Sequence, residues 1–329
     1  MDNTNTQHSI PPRLGLSIGI LSSSTAALLI RFAQKDAPSL VIAAYRLSLA
    51  SIILLPFVLL RYRKLLKQIN RRQFLLSALA GIFLAIHFAT WITSLEFTSV
   101  ASSVVLVSTS PLFVSILSPI FLREPIHRAL RNGLILSLMG TFIVGLSDAC
   151  NVVHGLHCPS FVSIFSTQAI KGDFLALLGA IAGAIYLLIG RKLRSNTALI
   201  SYISVAYSFA AIVLVGIVLI MRYEPSGYSS ETYLWFILLA IFPQLIGHST
   251  INWALRFLPA AYVSVTLLGE PVASTFWAYL FLEETPSGLM LIGALFVLIG
   301  IGIASQLQTK STEDLGKEDS LSYNDPQEG

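Results

Sequence analysis

Charge is what this sequence has least of. Only 12% of its 329 residues are Asp, Glu, Lys or Arg, against about a quarter in an ordinary soluble domain. With 54% hydrophobic residues, a soluble fold would lack polar side chains to cover its own core. Cysteine is almost as scarce, with two residues in the chain, which excludes a disulfide-built scaffold. There is no GxxxxGK[ST], so no nucleotide-driven pump is encoded here, and no HExxH to supply a metalloprotease. No arginine-rich spanning helix marks a voltage sensor, and no TVGYG-type stretch marks a channel filter. None of these absences calls for a cofactor or a metal.

What is present is apolar sequence in blocks of roughly 17 to 25 residues, the length that crosses a bilayer as a helix. Ten such spans are predicted: 14–31, 39–60, 74–94, 97–122, 132–147, 174–190, 197–221, 232–252, 257–282 and 287–307. None has the alternating ten-residue pattern of a membrane barrel, so the expected fold is an all-α polytopic membrane protein. The polar residues 1–13 precede the first span, which lacks a small-residue cleavage site and is expected to be retained.

Orientation follows from the basic residues. With both termini inside, the inner segments carry Arg13, the Arg61–Arg72 cluster, Arg123, Arg128, Arg131, Arg191, Lys192, Arg194, Arg256, Lys310 and Lys317. The outer segments carry only Arg31, Lys35, Lys171 and Arg222. That asymmetry predicts cytoplasmic N- and C-termini in a bacterial inner membrane. It also explains the net charge of +4 by topology, so no nucleic-acid partner is expected.

A shift of 160 residues lays the second half of the chain over the first. Ser110-Pro111 falls on Glu270-Pro271, Gly133 on Gly293, Gly140 on Gly300, Gly19 on Gly179 and Arg31 on Arg191. Each copy holds five spans, an odd number, so the second must enter the membrane upside down. The loop charges agree: Glu96 becomes Arg256, and Arg123 becomes Glu283. The expected organisation is two inverted-topology five-helix repeats, 14–147 and 174–307. An outer loop, 148–173, joins them, and a disordered cytoplasmic tail, 308–329, follows. Cys150 and Cys158 bracket CNVVHGLHC in that loop. A disulfide suits an oxidising outer face, whereas the spacing of His154 and His157 fits no standard zinc pattern.

The residues suited to chemistry lie near the middle of the spans. Glu270 is the only charge between Phe257 and Leu282, and a carboxylate at mid-bilayer costs about 2.5–3.5 kcal/mol. Pro271 follows it and cannot continue the helical hydrogen bonding, and Pro111 repeats that break in the first half. Two kinked helices related by a two-fold axis at the midplane form the geometry of a central transport site, with Pro111 and Pro271 as hinges. Gln244, His248 and Asn252 stand at i, i+4 and i+8 on the eighth span, and His87 and Trp91 at i, i+4 on the third. Such stripes serve either as a shared polar cavity or as hydrogen-bond glue between helices. Trp91 and Trp253 could stack on a flat or apolar solute. Arg46, inside the second span, is expected to snorkel outward or to pair structurally, with contact to an anionic substrate as the alternative. Glu124 and Glu284 precede prolines and are expected to cap the fifth and tenth spans. The pairs Gly15/Gly19 and Gly179/Gly183 have the spacing of close-packing faces.

The doubled unit, with SPLF in the fourth span and GEPVAS in the ninth, resembles the EamA-type carriers of the drug/metabolite transporter superfamily. The span ends FLREP and FLEET and the second-span stretch AAYRLSLA are similar to that family's patterns, and the resemblance covers roughly residues 14–306. It implies a ten-helix bundle whose first, third, fourth, sixth, eighth and ninth helices surround a substrate path. Ser110, Glu270, His87, Trp91, His248 and Asn252 would lie on or near it. It also implies small metabolites, amino acids or their analogues as substrates, mostly moved outward, by a monomer or homodimer in contact with membrane lipid. Import or exchange without proton coupling, of nucleotide-derived solutes for example, stays open, as does a non-transporting scaffold or sensor.

Overall fold

The computed structural model describes residues 11–98, 100–149, 167–282 and 285–322. Cys150, Cys158, His154, His157, Glu283 and Glu284 lie outside the described residues. Every described element is helical. In chain order these are α1 (Pro12–Ser23), α2 (Thr25–Ala33), α3 (Ser39–Arg61), α4 (Arg63–Lys67), α5 (Arg71–Ser94), α6 (Val100–Val107), α7 (Ser110–Phe121) and α8 (Arg128–Ala149). There follow α9 (Thr167–Arg194), α10 (Leu199–Ile220), α11 (Ser230–Leu239), a π-helical segment (Ala240–His248), α12 (Ser249–Ala254), α13 (Ala260–Leu267), α14 (Gly269–Leu282) and α15 (Gly288–Ser322).

Eight helices among the described residues are long and apolar enough to cross a membrane. They correspond to eight of the ten expected spans. The range expected for the fifth span is occupied by α8, and that of the ninth by α13 and α14, each too short to span alone. The division of the ninth follows from Pro271, which has no N–H to continue the ladder. A second difference is the tail: α15 runs on to Ser322, so the backbone from 308 to 322 is helical rather than irregular. No proline interrupts the sequence there before Pro326, and Gly316 is the only strong helix breaker in between.

Close approach of backbones joins several helix pairs of the core, as expected where lipid gives no hydrophobic drive for helix association. The antiparallel pair α8 and α15 is the clearest case. A Cβ on Gly140 would sit 2.6 Å from the Gly293 carbonyl oxygen, and one on Gly300 would sit 2.7 Å from that of Gly133. Between these contacts the Ser137 hydroxyl donates to the carbonyl of Val297 at 3.3 Å. Gly133 thus meets Gly300 and Gly140 meets Gly293, the reciprocal pairing of an isologous contact. The GxxxG faces behave likewise. Gly15 and Gly19 lie against Trp253 and Thr250, and Gly179 and Gly183 against Trp91 and His87.

At the end of the bundle that carries Arg191, Arg194 and Arg256, here called the basic end, α13 is buried from Ala260 to Thr266. Beyond the break, α14 has no buried residue between Gly269 and Trp277. The helix α7, which packs on α13 and α9, buries Pro111, Val114 and Ser118.

Candidate functional site

The two paired breaks bring the site together. Helix α6 ends at Val107 and α7 begins at Ser110; α13 ends at Leu267 and α14 begins at Gly269. In α7, Pro111 occupies the first turn, where its missing N–H removes no intrahelical bond. Two further irregularities lie beside the second break. The first span is interrupted at Ser24, between α1 and α2, and the eighth passes through the π-helical turn that contains Pro243 and Gln244. π-helical turns lie disproportionately at functional sites.

Glu270 faces the interruption in the first span. Its carboxylate accepts a hydrogen bond from the Ser23 side chain and lies within electrostatic reach of Arg46. One turn on, the Ser274 hydroxyl donates to the Ser24 carbonyl at 2.8 Å, and Trp277 Nε1 donates to Ser24 Oγ at 2.9 Å. The backbone freed at the first-span break is therefore satisfied from α14. The close approach of Gly247 to Ser23, where a Cβ would meet the backbone at 2.9 Å, brings the eighth span to the same point.

Arg46 corrects the expectation of an outward-snorkelling side chain. It is 1% exposed and is the largest side chain in the core. Its Nε donates to Gln244 Oε1 at 2.9 Å, and its guanidinium lies over the Phe88 ring, 4.1 Å from the centroid. Besides Glu270, its charge reaches His87, His248, Tyr186 and Tyr207. No single feature of the sequence announced this hub. The signal was the cost of an arginine within a span, which makes a functional site the default reading.

His87 and Trp91 stack on one face of α5, with ring centroids 5.9 Å apart. His87 Nδ1 donates to the Gly179 carbonyl at 2.8 Å, since a carbonyl oxygen can only accept. Gly179 and Gly183 leave the groove on α9 that admits the ring. His248 meets Phe88 edge-on at 5.3 Å. Asn252 Nδ2 donates to the Tyr186 hydroxyl at 2.6 Å and to the His248 carbonyl at 2.6 Å. The Tyr207 hydroxyl lies 3.2 Å from Ser249 Oγ.

These residues fall into two groups by exposure. Arg46, Gln244 and Asn252 are buried, whereas Glu270, His87, Trp91, His248 and Ser110 stay partly accessible in the interior of the helix bundle. Ser110 stands at the α6–α7 break, with no hydrogen bond to the charged groups of the cluster among the described residues. Trp253, by contrast, packs on Gly15 and Phe257 and lies apart from the others.

Two polar features belong to the ends of the bundle. Glu124 was expected to cap α8, but α8 begins only at Arg128. Its Oε2 instead accepts from the orphan N–H of Ala260, the first residue of α13, at 3.1 Å. Its Oε1 takes Arg191 Nε at 2.6 Å, and Arg191 Nη1 also donates to the Leu255 carbonyl at 2.7 Å. At the opposite end Asp36 accepts from the Ser229 N–H and the Thr232 hydroxyl, both at 2.8 Å. Those donors hold its carboxyl below the usual 3.8. A third sequence feature is explained by packing. Gly15-Leu16-Ser17-Ile18-Gly19 has the GxSxG spacing of a hydrolase nucleophile, but it lies within α1 rather than on a strand-to-helix turn. There the Ser17 hydroxyl donates to the Arg13 carbonyl at 3.1 Å.

Comparison with known proteins agrees with this architecture. An uncharacterized transporter of Archaeoglobus fulgidus is 23% identical over 294 residues, covering 89% of this chain and 96% of that protein. The pseudopaline exporter CntI of Pseudomonas aeruginosa is 24% identical over 289 residues, covering 87% of this chain and 93% of the exporter. A crystal structure of a protein with 18% sequence identity superposes with a TM-score of 0.72, covering 90% of this chain and 98% of the other. The EamA-like transporter family matches twice, over residues 13–146 and 170–306. With both halves accounted for, this chain belongs to the EamA-like transporter family.

Proposed function

We propose that this protein is a secondary carrier that exports small metabolites, amino acids or similar amphipathic solutes, across a bacterial inner membrane by alternating access. The observation that carries the reading is the partly accessible polar cluster at two matched helix breaks, with Glu270 on one of them. A structural kink alone gives no reason to set a carboxylate and two histidines within electrostatic reach of one buried arginine. In this reading ten helices form two inverted five-helix repeats. The reciprocal glycine contacts of α8 and α15 and the twofold family match support it. Both termini face the cytoplasm, in keeping with the placement of the basic residues.

In the proposed cycle Pro111 and Pro271 are the points about which the two halves rock. Glu270 carries either the coupling proton or a cationic group of the solute, and the His87–Trp91 face forms one wall of the path. The state described here opens away from the basic end. Support comes from the burial of α13, the Glu124–Arg191 tie beside it, and the accessibility of α14. A relative named as an exporter favours outward movement.

The test is a flux screen in proteoliposomes, with labelled amino acids and analogues followed with and without an imposed pH gradient. Accumulation driven by the gradient is the expected result. Substrate-for-substrate exchange that ignores the gradient would assign Glu270 to the solute instead of the proton. A chain that moves no solute while still binding a protein partner would overturn the carrier reading in favour of a scaffold.

A further inference from the structure

Gln244 and Arg46 leave three hydrogen-bond donors unused at one place. Arg46 Nε is taken by Gln244 Oε1, which fixes the amide so that Nε2 is the other end. Gln244 Nε2 is then buried without a partner, as are both Nη1 and Nη2 of Arg46. Gln244 is 0% exposed and Arg46 1%. Buried polar atoms in folded proteins almost always find partners, and a buried cation left unpaired is among the costliest arrangements a fold can hold. Among the described residues no carboxylate lies within ion-pair distance of Arg46. Glu270 acts on it at longer range and is already engaged by Ser23. Phe88 covers a face of the guanidinium, which leaves its Nη1–Nη2 edge as the open one.

We infer that Arg46 and Gln244 form an oxyanion subsite that receives the carboxylate of the transported solute, within the carrier reading above. The free edge of a guanidinium offers two parallel N–H donors, the fork that matches a carboxylate. The Gln244 amide supplies a third donor beside them. The π-helical turn is what makes this geometry, because it turns Gln244 from the eighth span toward a side chain of α3. Charge selects the ligand further. One fixed cation with the Glu270 carboxylate in electrostatic reach suits a monocarboxylate and disfavours a dianionic phosphate. Phe88 fixes the plane of the guanidinium, so the solute's carboxylate meets a rigid pair of donors rather than a flexible side chain.

The test uses the full chain in detergent or nanodiscs and probes that differ only by the carboxylate. Thermal stabilisation and binding are measured for L-phenylalanine against phenethylamine and for L-leucine against isoamylamine, with inorganic phosphate as a third arm. The expected result is that at least one acid binds about tenfold or more tightly than its amine. Phosphate is expected to stabilise weakly or not at all. Arg46→Lys, which keeps the charge but loses the fork, is expected to reduce that preference by a similar factor. Equal binding of acid and amine, no binding of any acid, or tighter binding of phosphate would each overturn the subsite. An Arg46→Lys chain that binds acids like the unaltered one would do the same. If that variant does not fold, the acid–amine comparison on the unaltered chain decides alone. A chain that binds acids at this subsite but moves none of them would instead overturn the carrier reading.

Discussion

At the scale of single residues, the site depends on small side chains as much as on charged ones. His87 reaches the Gly179 carbonyl because Gly179 and Gly183 leave a groove on α9. A Cβ on Gly183 would stand 2.9 Å from His87 Nδ1, closer than side-chain contacts allow. Gly183→Ala is therefore expected to displace the imidazole, breaking its bond to Gly179, while costing little in overall stability. Comparing solute affinity and melting temperature of the variant checks this: affinity should fall several-fold with the melting temperature nearly unchanged. The residue scale is also where reading the sequence was least complete. Glu270, His87 and the polar stripe of the eighth span were legible because polar groups in a span are expensive and must be accounted for. Arg46 lies nearer a span end in sequence, where snorkelling is common. Its burial is set by Phe88 and Gln244, contacts across the fold that no local pattern encodes.

Among the elements, backbone-to-backbone crossings carry much of the stability. At the α8–α15 crossing a side chain at Gly140 has no space to occupy, since the Gly293 carbonyl and the Val297 N–H are both 2.6 Å from its Cβ position. Gly140→Leu should force the helices apart and cost roughly 1–3 kcal/mol, read as a lower thermal midpoint with wild-type helicity at low temperature. The loops at the opposite end give a pH prediction. The Asp36 carboxyl is held below its usual value by donors from Ser229 and Thr232. A depressed folded value means that this tie contributes stability at pH above 3.8 and loses it as pH falls through the folded value. Asp36→Asn should remove that part of the acid dependence from the thermal midpoint measured across this window. Several element starts were legible from proline, as at Pro38, Pro111 and Pro259, although α3 and α7 run on through Pro56 and Pro119. The π-helical turn was not, since Pro243 predicts a disturbed helix but not which way the chain is rewound. Nor was the role of Glu124, whose partner Ala260 is 136 residues away.

For the whole molecule, the proposed alternating access turns on which end is closed. In the state described here the basic end is held by Glu124, which joins the α7–α8 connection to the end of α9 and the start of α13. The pair is partly exposed, 22% and 21% for the two side chains, so its loss should cost no more than about 1 kcal/mol of stability. The same small energy can shift a balance between two nearly equal conformations several-fold. Glu124→Ala is thus expected to leave the fold intact and to raise thiol labelling at a Ser264→Cys reporter on α13. Unchanged labelling would show that the tie does not hold that end. In the proposed plan of two inverted repeats, an odd number of spans per copy forces the inversion. The reciprocal contacts of glycines 133, 140, 293 and 300 at the α8–α15 crossing are what that plan would produce.

The most direct measurement of the central claim is gradient-driven flux of one transported amino acid in proteoliposomes, compared between the unaltered chain and Glu270→Gln. The account predicts uptake against a concentration difference when the pH gradient is imposed, and its loss in Glu270→Gln with the protein still folded and still inserted. Full, gradient-sensitive transport by Glu270→Gln would contradict it.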